Sequence, residues 1–335
     1  MAVSVKDVAA AASVSIGTVS NVLNQPSKVS AATVERVMRA IDELGFVRND
    51  AARQLRAGRS RSIGLIAPDM ANPFFAAVAQ GAQERAAEAG MFVLMTTSND
   101  TLDREKAYLD LFREQRVAGV LVTPASADPD AAGRLARTGI PVVLLDREAT
   151  DARLCSVSVD DEQGGYLAAS HLLSLGRRRL AFLGGSSEIP QVAERLAGAQ
   201  RAVAEAAGAG LELIETPELT VIAGREASSR LARRAPGDRP DAVFCANDLV
   251  AVGALQGLSI LGDLRVPDDI ALIGYDDIDF AAAAVVPLSS IRQPAAQIGR
   301  AAVEILLAEM SDPGGAHDTH VRFTPELIVR ESTAG

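Results

Sequence analysis

The sequence predicts a chain in two parts: a small all-α head over residues 1–47, and an α/β body over residues 62–335 built as two doubly wound parallel-sheet lobes. Three observations carry this. Residues 5–24, VKDVAAAASVSIGTVSNVLN, contain two short apolar-periodic segments separated by a tight break. From Ser62 onward, apolar β-branched runs alternate with amphipathic stretches, as parallel strands do when helices cover both faces of their sheet. The charge is also divided. Residues 1–62 carry nine Lys or Arg against five acids, a balance of +4, whereas the whole chain stands at −10 and residues 63–335 at −14. A basic head on an acidic body is the asymmetry expected when only the head approaches phosphates.

In the head, Val5, Val8, Ala9 and Ala12 give the first segment one apolar face, and Val19, Val22 and Leu23 give the second a matching one. The break falls at Ala12, Ser13 and Val14, and Ser15 is suited to cap the second helix. Helices this short are unstable alone and must pack on each other and on a third. That third helix follows Pro26: Ser30 caps it, Val34, Val37, Met38, Ile41 and Leu44 supply its apolar spacing, and Gly45 ends it. A helix-turn-helix reader of DNA has this construction, with its second helix offered to the major groove. The candidate reading residues are Ser15, Ile16, Gly17, Thr18, Ser20, Asn21 and Asn24. Hydroxyls donate to phosphates, an amide pairs with adenine, Ile16 suits a thymine methyl, and Gly17 admits close backbone approach.

Residues 48–61, RNDAARQLRAGRSR, form a linker with five arginines. Asn49 and Gly58 frame a short helix that is marginal until its arginines are neutralised. Leu55, between Arg53 and Arg56, is either a linker residue or an apolar wedge for the minor groove.

The body reads as strands at SIGLIAP, FVLMTTS, AGVLVTPA, PVVLLDR, CSVSVD, RLAFLGG, AVFCAN and IALIGYDD, with helical patterns near 73–90, 103–116, 160–175, 190–208, 247–261 and 294–310. The first lobe is expected over about 62–159 and 291–322, the second over about 160–290 and 323–335. Open sheets of this kind bind ligands beyond the carboxyl ends of their strands. Asn72, Phe74 and Phe75, then Asp146 and Arg147, then Asn247 and Asp248, then Asp276 all follow such strands. Carboxylates, amides and a guanidinium converging on one cleft suit a neutral polyhydroxyl ligand, and a ring gives its apolar face a place to stack. Two aspartates in the cleft disfavour a polyanion.

These residues carry a resemblance. VKDVAAAASVSIGTVSNVLN, RNDAARQLRAG, SIGLIAPDMANPFF, VVLLDR, RLAG, ANDLVAVGAL, IGYDDI and SSIRQP recur in order at compatible distances, and the chain resembles the lac repressor family of bacterial transcription regulators over essentially its whole length. The resemblance implies a periplasmic-binding-protein-like body, operator reading through Ile16, Gly17 and Asn21, and intercalation of Leu55. Ile16 and Gly17 differ from the polar pair of the lac repressor, so its operator does not carry over. The cleft is similar to that of ribose-binding proteins at Asn72, Phe74, Phe75, Asp146, Arg147, Arg195, Asn247, Asp276 and Gln293. This implies a pentose or similar monosaccharide as effector. The segment GLELIETPELTVIAG lacks the second stacking aromatic common in such proteins.

Other functions are set aside. There is no GxSxG elbow, no dinucleotide loop at GGS, and no histidine in the proposed site, so neither an enzyme nor a cofactor is expected. His317 and His320 read as a surface turn rather than a metal site, and Cys155 and Cys245 as reduced core thiols. MAVSVKDVAA has no signal-peptide pattern, and no apolar run approaches a membrane span, which predicts a cytoplasmic chain. A solute receptor of a transport system would account for the body but leaves residues 1–61 unexplained. The final run, FTPELIVRES, is not followed by leucine heptads, so a homodimer is expected rather than a tetramer held by a tail coiled coil. The partners expected are double-stranded operator DNA, a small sugar and a second copy of the chain.

Overall fold

The computed structural model describes residues 3–46, 60–126, 130–149, 151 and 154–334. The chain divides into two compact units, Met1–Ser60 and Arg61–Gly335.

The first unit holds α1 (Val5–Ala11), α2 (Ile16–Asn24) and α3 (Ala31–Leu44), with a short 3-10 turn over Pro26–Lys28. The Asp7 carboxylate accepts from the Ser4 backbone N–H at 2.8 Å and from its hydroxyl at 2.7 Å, which secures the start of α1 and lowers the Asp7 pKa. The break between α1 and α2 turns on Ser13 at φ +51°. Ser15 caps α2 by accepting from the Thr18 N–H at 3.0 Å, and Gly45 ends α3 in the left-handed region at φ +62°. Ser30 stands at the N-cap of α3, but its hydroxyl pairs with that of Thr33 instead of a backbone N–H. The core is Val8, Ala9, Ala12, Val19, Val22, Val37 and Ala40. Met38 is not part of it: one position beyond Val37, it is turned about 100° around the helix and is exposed. Arg36 donates Nε to the Ala12 carbonyl at 2.9 Å, tying α3 to the end of α1.

The second unit contains β1 (Ser62–Ala67), α4 (Pro73–Glu88), β2 (Phe92–Thr97), α5 (Leu102–Glu114), β3 (Gly119–Val122), α6 (Asp130–Ala136), β4 (Val142–Leu145), β5 (Cys155–Val159), α7 (Asp161–Ser174), β6 (Arg179–Gly184), α8 (Pro190–Glu205), β7 (Gly210–Glu215), α9 (Val221–Ala232), β8 (Ala242–Cys245), α10 (Asp248–Leu255), β9 (Ala271–Asp276), α11 (Asp279–Ala282), β10 (Ser289–Arg292), α12 (Ala295–Ser311), β11 (His320–Phe323) and β12 (Glu326–Ile328). They build two six-stranded sheets, β11-β5-β4-β3-β1-β2 and β12-β10-β9-β8-β6-β7. Every pairing is parallel except β10 with β12. Alternate β1 residues fill opposite cores. Ile63, Leu65 and Ala67 pack with α4 and α12, while Ile66 packs with α5 and α6. In the second sheet, Leu180 and Phe182 face α7 and α8, and Ala181 and Leu183 face α9 and α10.

The sequence reading did not anticipate β7, β10, β11, α6, α9 or α11. β7 and β11 are outer strands with no fully buried residue, and β10 opens on two serines, so none reads as an apolar run. The lobe boundaries also move slightly. Ile291 and Arg292 pair with Tyr275 and Asp276 in the second sheet, and Phe323 pairs with Val159 in the first. The chain therefore passes between lobes after Val159, Arg292 and Phe323.

Three helix pairs share one device. A Cβ built on Gly81 of α4 would lie 2.0 Å from the Ala296 carbonyl oxygen, and one on Gly299 of α12 would lie 1.9 Å from that of Val78. Gly165 and Gly198 do the same for α7 and α8, and Gly224 and Gly253 for α9 and α10. Each crossing thus brings backbone against backbone, which only glycine permits.

Candidate nucleic-acid interface and effector cleft

On α2, positions 16, 17, 20, 21 and 24 fall within one arc of about 140°, opposite the buried Val19 and Val22. Ile16, Gly17, Asn21 and Asn24 are exposed, and Ser15 is exposed at the cap; Thr18 and Ser20 are half-buried. Asn24 Nδ2 donates to the Ser20 carbonyl at 2.9 Å. A Cβ on Gly17 would meet nothing nearer than Ser15 Oγ at 3.6 Å, and the backbone there is ordinary helix. Neither packing nor conformation demands this glycine, although it weakens the helix relative to alanine. Arg53, Leu55 and Arg56 lie outside the described residues.

In the body, polar residues gather where strands end. Asn72 follows β1, caps α4 by accepting from the Phe74 N–H at 3.0 Å, and donates Nδ2 to Asp276 Oδ2 at 3.3 Å. Gln293 donates to the other Asp276 oxygen at 2.8 Å. Asp276 and Asp146 end β9 and follow β4 at φ +106° and +52°; the second lies in the left-handed region that short polar side chains tolerate best among non-glycine residues. Arg195, on α8, donates Nε to Asp161 at 2.7 Å and Nη1 to the Ala246 carbonyl at 2.8 Å, with its guanidinium 3.7 Å from the centre of the Tyr275 ring. The structure brings Asn72, Asp276 and Gln293 into one hydrogen-bonded set, with Arg195 and Asp146 electrostatically coupled to it.

Burial raises the pKa of Asp276 to about 6, against the opposing pull of Arg195 and the amide bonds from Gln293 and Asn72. Asp146 is pushed up by burial and by the Asp161 and Asp276 charges. Burial opposes the charge of Arg195, but Asp161 overrides it and raises that pKa. Asp146 Oδ1 and Gln293 Oε1 are buried acceptors with no donor among the described residues.

A narrow concavity with room for about one water is lined by Asp146, Arg147, Ser158, Asp161, Gln191 and Glu194, among others. Three of the residues expected at the cleft also serve the fold. Phe74 lies in the hydrophobic core, and only Phe75, edge-on to it at 5.0 Å, is half-buried. Asn247 spends its amide on the chain, accepting from the Val250 N–H at 2.9 Å and donating to the Leu219 carbonyl at 3.4 Å. Asp248 accepts from Ser290 Oγ and the Ile278 N–H, locking α10 to its neighbours. Gln191, Asp161, Tyr275 and Glu194 escaped the sequence reading. Gln191 stands one helical turn before Arg195, a spacing that could have flagged it.

His317 lies in the loop between α12 and β11, as expected, and pairs with Glu309 at 2.9 Å, whereas His320 begins β11 and contacts Ser156 Oγ at 3.0 Å. Cys155 and Cys245 are free and buried. Among the described residues, no cluster could hold a metal and no helix is long and apolar enough to cross a membrane.

Residues 4–49 match the bacterial regulatory proteins of the lacI family, and residues 169–333 match the periplasmic binding protein-like domain. The HTH-type transcriptional repressor PurR of Photobacterium profundum is 35% identical over 334 residues, covering 98% of each chain. Among solved structures, the lac repressor dimer bound to operator and the anti-inducer ONPF superposes with a TM-score of 0.83 at 28% identity, covering 99% of each chain. A LacI family transcriptional regulator from Enterococcus faecium with bound ribose gives 0.73 at 27% identity over 81% of this chain and 98% of that one. With a matching head and a relative of this identity along almost its full length, the chain belongs to the lacI family of bacterial regulatory proteins and is a DNA-binding transcriptional regulator, not an enzyme.

Proposed function

We propose that this regulator is a cytoplasmic repressor that binds a palindromic operator as a homodimer and is controlled by a monosaccharide, with a pentose such as ribose the favoured effector. In this reading the head covers residues 1–47, the hinge 48–61 and the effector-binding body 62–335. The observation that carries the sugar is the buried set Asn72, Asp276 and Gln293 beside Arg195 and Asp146, which meets hydroxyls with acceptors and donors in turn. Phe75 offers one apolar face and Arg147 lines the mouth. The ribose-bound relative supports a sugar of this size. The segment 210–224 holds no aromatic to stack on a sugar ring or on a planar base.

Ser15, Ile16, Gly17, Thr18, Ser20, Asn21 and Asn24 would face the operator, with Arg53, Leu55 and Arg56 supporting from the hinge. The operator-bound dimer of the lac repressor supports this assembly. Phe92 and Leu94 on the outer strand β2, Leu213 on the outer strand β7, and Ile222 on α9 are exposed and suit contact with a second copy. Effector occupancy would change the angle between lobes and thereby the spacing of the heads.

A thermal-shift panel of pentoses, hexoses, their phosphates and purine bases tests the effector, because a ligand of the folded state raises the melting temperature. A shift with a neutral pentose is expected. A shift with a purine base alone, or with a sugar phosphate alone, would sink the pentose assignment.

A further inference from the structure

The lobes exchange amides for carboxylates in both directions. Asn72, on the first lobe, donates to Asp276 on the second. Gln191, in the first turn of α8 on the second lobe, donates Nε2 to Asp146 on the first, reaching its carbonyl oxygen at 2.7 Å and its carboxylate Oδ2 at 3.1 Å. The second link is the tighter one. A single nitrogen spans two acceptors of one residue, and one of those is backbone, which cannot swing away as a side chain can. Among the described residues the Gln191 side chain has no other hydrogen-bond partner, and it is half-buried, one turn before Arg195 on the same face of α8. Its amide therefore serves the junction between lobes.

We propose that Gln191 is a closure residue, through which part of the free energy of bringing the two lobes together over the effector is supplied. A ligand that binds the closed arrangement loses apparent affinity in proportion to the fraction of molecules not closed. Gln191 also occupies one oxygen of Asp146 and leaves Oδ1 unpartnered, so it restricts which part of that carboxylate a ligand can use. The nature of the ligand rests on the sugar reading above; the closure role rests on the two bonds alone.

Two variants separate these. Gln191→Ala deletes the donor. Gln191→Glu keeps the shape but turns an acceptor toward a carbonyl and a carboxylate. The full-length protein would carry spin labels at Arg104→Cys and Glu226→Cys, exposed positions in the first turn of α5 and midway along α9, the native Cys155 and Cys245 being buried. Inter-lobe distances would be read by double electron–electron resonance with and without D-ribose. We expect a longer-distance population in Gln191→Glu, a smaller one in Gln191→Ala, and D-ribose affinity about tenfold weaker in Gln191→Ala, the scale of one charge-assisted hydrogen bond. Distances that superimpose on wild type in both variants overturn the proposal. That holds even if ribose binding weakens, since Gln191 would then be a ligand contact only. Longer distances in Gln191→Glu with no ribose binding in any form uphold the closure role and defeat the sugar reading.

Discussion

On α2, Ile16, Gly17 and Asn21 stand in solvent with no side-chain hydrogen bond among the described residues, whereas in the cleft Asn72, Asp146, Arg195, Asp276 and Gln293 are buried and already bonded to protein. The difference has a physical origin. A duplex groove is approached from outside and supplies its own partners, so a reading face must keep its donors free. A small polar ligand is engulfed, so its binding groups must be held in low dielectric by neighbours that also hold the fold. Function and stability are therefore separable in the head and entangled in the cleft.

The largest effect should come from Arg195→Ala, which leaves the Asp161 carboxylate buried without its cation. Breaking such a pair costs about 3–5 kcal/mol, and calorimetry should show the body melting well below wild type. A melting temperature within a degree of wild type would show that the entanglement is absent. Asp276→Asn tests the same idea through pH. The folded pKa of about 6 lies above the ordinary 3.8, so the native state keeps this proton where the unfolded chain has released it. Stability is thus lost as pH rises from about 4 to 6, by roughly 3 kcal/mol for a shift of this size. The variant should gain on wild type in melting temperature across that window, and parallel curves would remove Asp276 as the cause.

In the head the expected effects are smaller and fall on binding. Asn21→Ala should weaken operator binding by about 1–3 kcal/mol in fluorescence anisotropy while leaving thermal stability of the head unchanged. Unchanged affinity would take Asn21 off the reading face. Gly17→Ala sharpens the contrast most, although its effect is least. It should stabilise α2 by about 0.5–1 kcal/mol, since nothing obstructs the new methyl, and still impair operator binding. Improved binding along with improved stability would deny the surface its need for smoothness.

How much was legible in the sequence follows from the range of each interaction. The Ser15 cap and the Gly45 terminus rest on backbone groups a few residues away, and the buried central strands rest on their own apolar runs. Asn72, Asp146 and Asp276 could be singled out because each follows a parallel strand, although their bonds across the fold could not. Phe74 was not, since two adjacent rings look alike until the helix turns one inward. Asn247 matched a binding pattern, yet its amide caps α10. Gln191 carried only its one-turn spacing from Arg195, because its partner Asp146 lies 45 residues away on the other lobe.

The glycine crossings bear on how such a body can move. Where two helices meet backbone to backbone there is no side chain to rotate or compress, so each pair behaves mechanically as one stiff member. With one such member on the first sheet and two on the second, compliance is concentrated in the three strands of chain that pass between lobes after Val159, Arg292 and Phe323. Arg195, whose carbonyl lies against Gly165, rides on one of these members, so any displacement of α8 carries the cleft's guanidinium with it undiminished. A larger residue at Gly165 or Gly198 would act as a shim in a lever, offsetting the site without touching any residue that lines it.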